Sequence, residues 1–431
     1  MHKLQEMIKE QKAGKHTGIF SCCSSNEYVL RSLFKRAKEH NIIALIESTA
    51  NQVNQDGGYT GLTPEVFYGW CKELAKAEGF NEEYLVLGGD HLGPLTWTKL
   101  EEEKAMENAK QLITDYVLAG FTKIHIDTSM LLASDDASVV LSDYIIAGRT
   151  VRLCKKAEEA FAKRKEANPN ALPPVYVIGS EVPIPGGAKE SEELEVTDSN
   201  QLKTTIKIFY DAFQSNGLED AWKRVIAVVV QPGVEFGEDE VFVYNSEKAK
   251  ELCEVMKSDP SLVLEGHSTD YQPKKALREM IADGISVLKV GPALTFGFRE
   301  ALFALEKIER VLLDGTGVKL SDFANTLEKV MLEKPGQWIN YYHGNEHKMK
   351  INRAYGFSDR ARYYLNEAEI GESIKQLVDN LKDPIPLPLL SQFMPKQYTK
   401  VQDGTLENNV DNLILDRIGD YFDDYIYAIK E

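Results

Sequence analysis

Along the first three quarters of the chain, short apolar runs alternate with longer amphipathic stretches. The apolar runs lie at 18–23, 42–47, 84–90, 123–127, 175–181, 225–231, 262–267 and 286–291. Most are rich in Val, Ile or Leu and too short for helices, so each reads as a buried strand. The stretches between them read as helices at 27–39, 63–77, 99–119, 144–165, 200–215, 246–257, 272–283 and 296–313. Eight strand–helix pairs in about 300 residues predict an α/β fold, a (β/α)8 TIM barrel over residues 1–318. A doubly wound open sheet uses the same elements and is the competing architecture. Residues 319–431 show no such series and predict a mainly helical C-terminal extension packed on the barrel, with a Pro-rich break at 383–390 (DPIPLPLL). No internal repeat or low-complexity tract is present.

Composition narrows the function classes. With 431 residues, 43% hydrophobic and 27% charged, the chain can bury a large core and is not disordered. Acidic residues outnumber basic ones 67 to 50, for a net charge of −17, which disfavours a nucleic-acid partner. Any site for an anionic ligand must therefore be local. The five cysteines, Cys22, Cys23, Cys71, Cys154 and Cys253, form no C-x-x-C pair and suit a reducing cytoplasm. Residues 1–14 are charged and lack the apolar stretch of a signal peptide. No apolar run of roughly 18 residues exists, so no membrane span is expected.

In a barrel, chemistry sits at the C-terminal ends of the strands. Here those ends carry Glu47, then Asp90 and His91, His125 and Asp127, Glu181, Gln231, Glu265 and His267. Lys289 lies in the eighth run. Any one of them is most simply a turn former or helix cap, Asp90 included. Seven of eight strands ending this way point to a polar mouth. Alternation puts His125 with Asp127, and Glu265 with His267, on shared faces. Such oxygen and nitrogen donors suit a divalent ion, Zn²⁺, Mn²⁺, Ni²⁺ or Mg²⁺, acting as a Lewis acid on a carbonyl or enediolate. A polar cluster satisfied by its own hydrogen bonds is the alternative. Lys289 reads as an ion pair or anion contact rather than a Schiff-base nucleophile, because carboxylates nearby would hold it protonated. The segment 291–299 (GPALTFGFR) opens a helix whose backbone N–H groups could hold a phosphate or sugar oxygen. P-loop, G-x-G-x-x-G and G-x-S-x-G motifs are absent where their chemistries need them.

Several long motifs resemble one family. They are 47–61 (ESTANQVNQDGGYTG), 88–94 (GGDHLGP), 179–187 (GSEVPIPGG), 230–236 (VQPGVEF), 266–272 (GHSTDYQ), 288–296 (LKVGPALTF), 358–364 (SDRARYY) and 395–397 (PKQ). Together they resemble the tagatose-bisphosphate aldolase Z-type subunit family across essentially the whole chain. That resemblance implies a barrel of the class II aldolase superfamily. It also implies either an accessory subunit of a two-component tagatose-bisphosphate aldolase or a relative that interconverts D-fructose and D-tagatose at C4. Some databases label the family a tagatose-6-phosphate kinase, which the missing P-loop does not support.

By similarity to class II aldolases, Asp90 is implied as acid/base on the C4 hydroxyl and His91 and His267 as metal ligands. Gln231 stands where those aldolases have a further histidine and is read as the third ligand. Glu181 and Asp127 are read as further catalytic groups. Glu47, His125, Lys289, Ser268 and Arg299 are read as substrate contacts.

Ketose chemistry then narrows the reaction. C3 adjoins the carbonyl but C4 does not, so simple deprotonation cannot invert C4. Breaking and remaking the C3–C4 bond by retro-aldol cleavage can, and release of the fragments would be aldol cleavage. The expected ligand is thus a small ketose or ketose phosphate, with a class II aldolase subunit as the other candidate partner. A homo-oligomer is expected.

Overall fold

The computed structural model describes residues 1–180 and 194–430. Eight parallel strands close into a barrel: β1 (Ile19–Cys22), β2 (Ala44–Thr49), β3 (Leu85–Leu92), β4 (Lys123–Ile126), β5 (Val175–Ile178), β6 (Val225–Val230), β7 (Val263–Gly266) and β8 (Ile285–Val290). Each pairs with its sequence neighbours and β8 pairs back onto β1, with Phe20 opposite Leu288 and Ser21 opposite Lys289. The open-sheet alternative is thereby excluded. All eight apolar runs became strands because each is followed by an amphipathic helix that covers its outer face. The helix Glu27–His40 shows the local logic. Asn26 caps Val29 N–H, and Asn41 ends the helix in the left-handed region at φ 52°. Val29, Leu30, Leu33, Phe34 and Ala37 form the buried stripe of that helix.

The described residues also include elements that were not foreseen. A helix, Lys3–Lys12, lies at the N-terminal end of the barrel. Its Leu4, Met7 and Ile8, at i, i+3 and i+4, join Ile19, Leu45, Val86, Val175, Val263 and Val287 in one apolar cluster. The loop after β6 carries a short antiparallel pair, Glu235–Phe236 with Val241–Phe242.

The chain after the barrel is helical, as expected: Phe323–Glu333, Glu346–Tyr355, Ala368–Asn380, Leu387–Phe393, Pro395–Gln402 and Val410–Ile429. The last of these packs on the helices Glu27–His40, Lys274–Ala282 and Pro292–Leu313. Its Tyr425 donates a hydrogen bond to Thr269 O (2.7 Å) beyond β7, fastening the extension to a loop at the mouth. Among the described residues, no helix is long and apolar enough to cross a membrane.

Candidate functional site

The inward faces of β2, β3, β4, β7 and β8 bring Glu47, Asp90, Lys123, His125, Glu265, His267 and Lys289 to one buried cluster at the C-terminal mouth. Two lysines hold three carboxylates. Lys123 Nζ lies 2.7 Å from Glu47 Oε1 and 2.8 Å from Glu265 Oε2. Lys289 Nζ lies 2.6 Å from Glu47 Oε2, 2.8 Å from Asp90 Oδ1 and 3.7 Å from Glu265 Oε1. Ser21 adds a hydrogen bond to Glu47 Oε1 (2.7 Å). Buried charge survives only when paired this closely. Gly88 makes room for the arrangement, since a Cβ there would lie 2.9 Å from Glu47 Cγ and 3.1 Å from Lys123 O.

Asp90 and His91 are neighbours in β3, so pleating alone would point them to opposite faces. The β3–β4 register shifts between Gly89 and Leu92, and His91 adopts φ 49°. This bulge brings both side chains to the mouth. His91 Nδ1 lies 2.8 Å from Asp127 Oδ2, and the His91 ring centroid lies 5.0 Å from His125 and 5.1 Å from His267.

Four groups could hold a cation: one donor atom each from Asp90, His125, Glu265 and His267 lie within 4.8 Å of one another. The donor chemistry fits a divalent ion of the Mn²⁺, Ni²⁺ or Zn²⁺ kind. His125 Nδ1 is 2.8 Å from Asp90 Oδ1. The same Nδ1 accepts the His91 backbone N–H (3.2 Å), and among the described residues Nε2 is buried without a hydrogen-bond partner. His267 Nε2 lies 3.0 Å from Glu265 Oε1.

Burial and close charge set the electrostatics of the cluster. Burial pushes His267 down to about 4, only partly offset by Glu265, so the ring is neutral near pH 7. Burial also disfavours ionised Asp90, but His91, Lys289 and His125 outweigh it and hold the carboxyl well below its usual range. Against the same burial penalty, Lys123, Lys289 and His267 hold Glu265 well below its usual range. Asp127 falls to about 2 because hydrogen bonding and charge from His91 overcome its burial. His91 rises despite burial, driven by Asp90 and Asp127. Lys289 stays protonated: burial opposes its charge, and Asp90, Glu47 and Glu265 overcompensate.

The remaining expected site residues fall elsewhere. Gln231 Oε1 accepts Gly233 N–H (2.9 Å) and Val234 N–H (3.0 Å), so its oxygen is committed to a turn. Arg299 sits on the outer helix, with Nε 2.9 Å from Asp359 Oδ1 and its guanidinium over the Phe296 ring. Ser268 follows His267 in the left-handed region, at φ 52°, and hydrogen-bonds Glu235. Glu181 lies outside the described residues. The helix N-terminus after β8 is taken: Asp270 Oδ1 accepts Gly291 N–H (3.0 Å) and Ala293 N–H (2.8 Å), where an anion had been expected.

Lys123 and Ser21 were missed as site members. The signal for Lys123 was a lysine two residues before His125, on the same strand face. Asp359 and Arg360, in the 358–364 motif, are buried. Arg362 reaches a narrow cleft shared with Ser25, Gln52, Tyr59 and Cys23, and Cys23 Sγ is 3.9 Å from Asp90 Oδ2.

A family model described as D-tagatose-1,6-bisphosphate aldolase subunit GatZ/KbaZ-like matches residues 4–430. A crystal structure of a probable tagatose 6 phosphate kinase from Sinorhizobium meliloti 1021 superposes with a TM-score of 0.87 at 39% identity, covering 95% of this chain and 100% of that one. The YdjI aldolase from Escherichia coli K12 aligns at 12% identity and TM-score 0.41, covering 86% of this chain and 98% of that one. A fructose-bisphosphate aldolase from Campylobacter jejuni aligns at 13% and 0.42, covering 88% and 92%. Superpositions as loose as the last two distinguish nothing about substrate or mechanism.

Proposed function

Because the chain belongs to the D-tagatose-1,6-bisphosphate aldolase subunit GatZ/KbaZ-like family, we propose that it is a metal-dependent enzyme acting on ketohexoses or ketohexose phosphates of the tagatose/fructose type. The reaction is retro-aldol cleavage of C3–C4, leading to C4 epimerisation or to aldol cleavage. One observation carries this reading: Asp90 stands among two histidines and a second carboxylate, buried together within cation-binding distance.

Asp90 has the base role. Its Oδ1 is engaged by His125 and Lys289, while Oδ2 faces His91 Nε2 at 3.8 Å and Cys23 Sγ at 3.9 Å. Oδ2 is therefore the oxygen open to a substrate proton. Asp90 takes the C4 hydroxyl proton. The C3–C4 bond then breaks, its electron pair passes toward the C2 carbonyl, and C4 becomes an aldehyde. If the aldehyde turns before the bond re-forms, C4 is inverted and the proton returns from Asp90. If the aldehyde leaves first, C3 of the enediolate takes up the proton held by Asp90, and the outcome is aldol cleavage. A divalent ion held by His125, His267, Glu265 and Asp90 would polarise the carbonyl and offset the charge that develops there. His91, with Nδ1 2.8 Å from Asp127 Oδ2 and Nε2 3.8 Å from Asp90 Oδ2, can relay the proton. Burial of the whole set excludes water that would intercept the cleaved state.

The test uses purified chain with D-fructose and D-tagatose, with and without divalent metal. Turnover lost on chelation, and lowered roughly 10²–10⁴-fold in Asp90→Asn, is the expected result. The second reading, favoured by the word subunit in the family description, is a non-catalytic partner of a class II tagatose-bisphosphate aldolase. Activity that appears only when an aldolase partner is added, and that Asp90→Asn leaves intact, would establish it instead.

A further inference from the structure

Lys289 occupies the same carboxylates that a cation would need. Its Nζ is 2.8 Å from Asp90 Oδ1 and 3.7 Å from Glu265 Oε1, and both residues belong to the four-donor set. Resting on the metal-dependent reading above, we propose that Lys289 is a resident competitor of the cation. Its ammonium balances the metal-free mouth, and the cation binds reversibly as Lys289 withdraws from Asp90 toward Glu47.

The charge count supports this. Glu47, Asp90 and Glu265 face Lys123 and Lys289, so three negative groups meet two positive ones. A pocket so nearly neutral can stay folded without metal, unlike a bare set of acidic ligands. Ammonium and divalent metal both seek carboxylate oxygens at close range, and on Asp90 and Glu265 their like charges repel across a short distance. Glu47 lies outside the donor set and has the shortest contact to Lys289, 2.6 Å. It is also held by Ser21 and Lys123, so it forms a fixed anchor for the displaced ammonium. Lys123 touches Glu47 and Glu265 but has no ion pair with Asp90 among the described residues.

A rival role for Lys289 is to orient Asp90 for the cation. The two roles predict opposite signs. Removing a competitor tightens metal binding, whereas removing a support weakens it.

The experiment titrates Mn²⁺ into the full chain and reads the dissociation constant, not turnover, at fixed pH and ionic strength. Lys289→Met is expected to bind at least roughly ten-fold tighter than the wild type, because one positive charge has left a weakly screened pocket. Lys289→Arg keeps the charge and should not tighten. Unchanged or weaker binding in a folded Lys289→Met chain overturns the proposal, as does the absence of Mn²⁺ binding in both chains. Should Lys289→Met fail to fold, a wild-type crystal structure with Mn²⁺ decides. Nζ beyond about 3.5 Å from Asp90 Oδ1 supports the proposal, and Nζ still at hydrogen-bonding distance beside a bound ion overturns it. Mn²⁺ binding that is tighter in Lys289→Met, without any turnover, would remove the enzyme reading and leave this one. Metal-dependent turnover without the tightening would do the reverse.

Discussion

The two ends of the barrel interior use the same inward strand positions and fill them in opposite ways. On β2 the inward pair is Leu45 then Glu47, on β7 Val263 then Glu265, and on β8 Val287 then Lys289. Each pair is two residues apart and so shares a face. At the lower level the side chains are aliphatic and the helix Lys3–Lys12 closes them with Leu4, Met7 and Ile8. Burial there is favourable residue by residue, about 1.5–3 kcal/mol for a large aliphatic side chain. At the upper level β2, β3, β4, β7 and β8 carry ionisable side chains, each tolerable only because a partner lies close by, while Val177 and Val229 keep β5 and β6 aliphatic. One pleat repeat thus separates a part of the molecule that is stable by burial alone from a part whose buried charges need partners.

Breaking one partner at the top should cost most. Lys123→Met removes the nearer of the two cations at Glu265 and one of the two at Glu47, and should destabilise the chain by about 3–5 kcal/mol, read from urea unfolding. A loss below about 1 kcal/mol would mean that pairing does not organise the mouth. At the bottom, Leu4→Ala should cost about 3 kcal/mol by lost transfer and a residual cavity, with kcat unchanged. A fall in kcat without a fall in folded fraction would show that the cork and the mouth are coupled.

The smallest effect concerns pH. His2 Nδ1 accepts Leu4 N–H (3.2 Å) and Nε2 lies 3.0 Å from Thr122 Oγ1. Burial pushes its pKa from 6.5 down to about 4. The folded chain therefore prefers neutral His2. Its contribution is complete above pH 6.5 and is lost as the pH falls toward 4, by about 2–3 kcal/mol at most. His2→Asn keeps a capping acceptor but cannot titrate, so urea midpoints should fall less steeply between pH 6.5 and 4. His267 titrates in the same window at the opposite end, so some slope should persist. A slope identical to the wild type would assign the whole dependence to the mouth.

Much of the barrel was legible because its signals are local. A run such as 225–231 is apolar on both faces and short, which leaves few structures other than a covered strand. The ionisable residues at strand ends were equally visible, and Glu47, Asp90, His91, His125, Asp127, His267 and Lys289 do meet at one mouth. The partners were less visible. Lys123 read as an ordinary strand residue, because nothing in the sequence shows that Glu47 and Glu265 flank it. Gln231 and Arg299 read as free functional groups, yet one closes a turn and the other is bound to Asp359, sixty positions further along. The helix N-terminus after β8 read as an anion site, and the group that fills it is Asp270 of the preceding loop.

The sequence by itself determined the eight strand–helix pairs of the barrel, the face of each regularly pleated strand residue, and the family. These follow from periodicity and motif, which are properties of neighbouring residues. Only the tertiary structure decided which charges touch, which histidine nitrogens remain free and how a bulge turns Asp90 and His91 to the same side. Those depend on distances between groups far apart in the chain, and a shift of one residue in register changes them while the hydrophobic pattern stays the same.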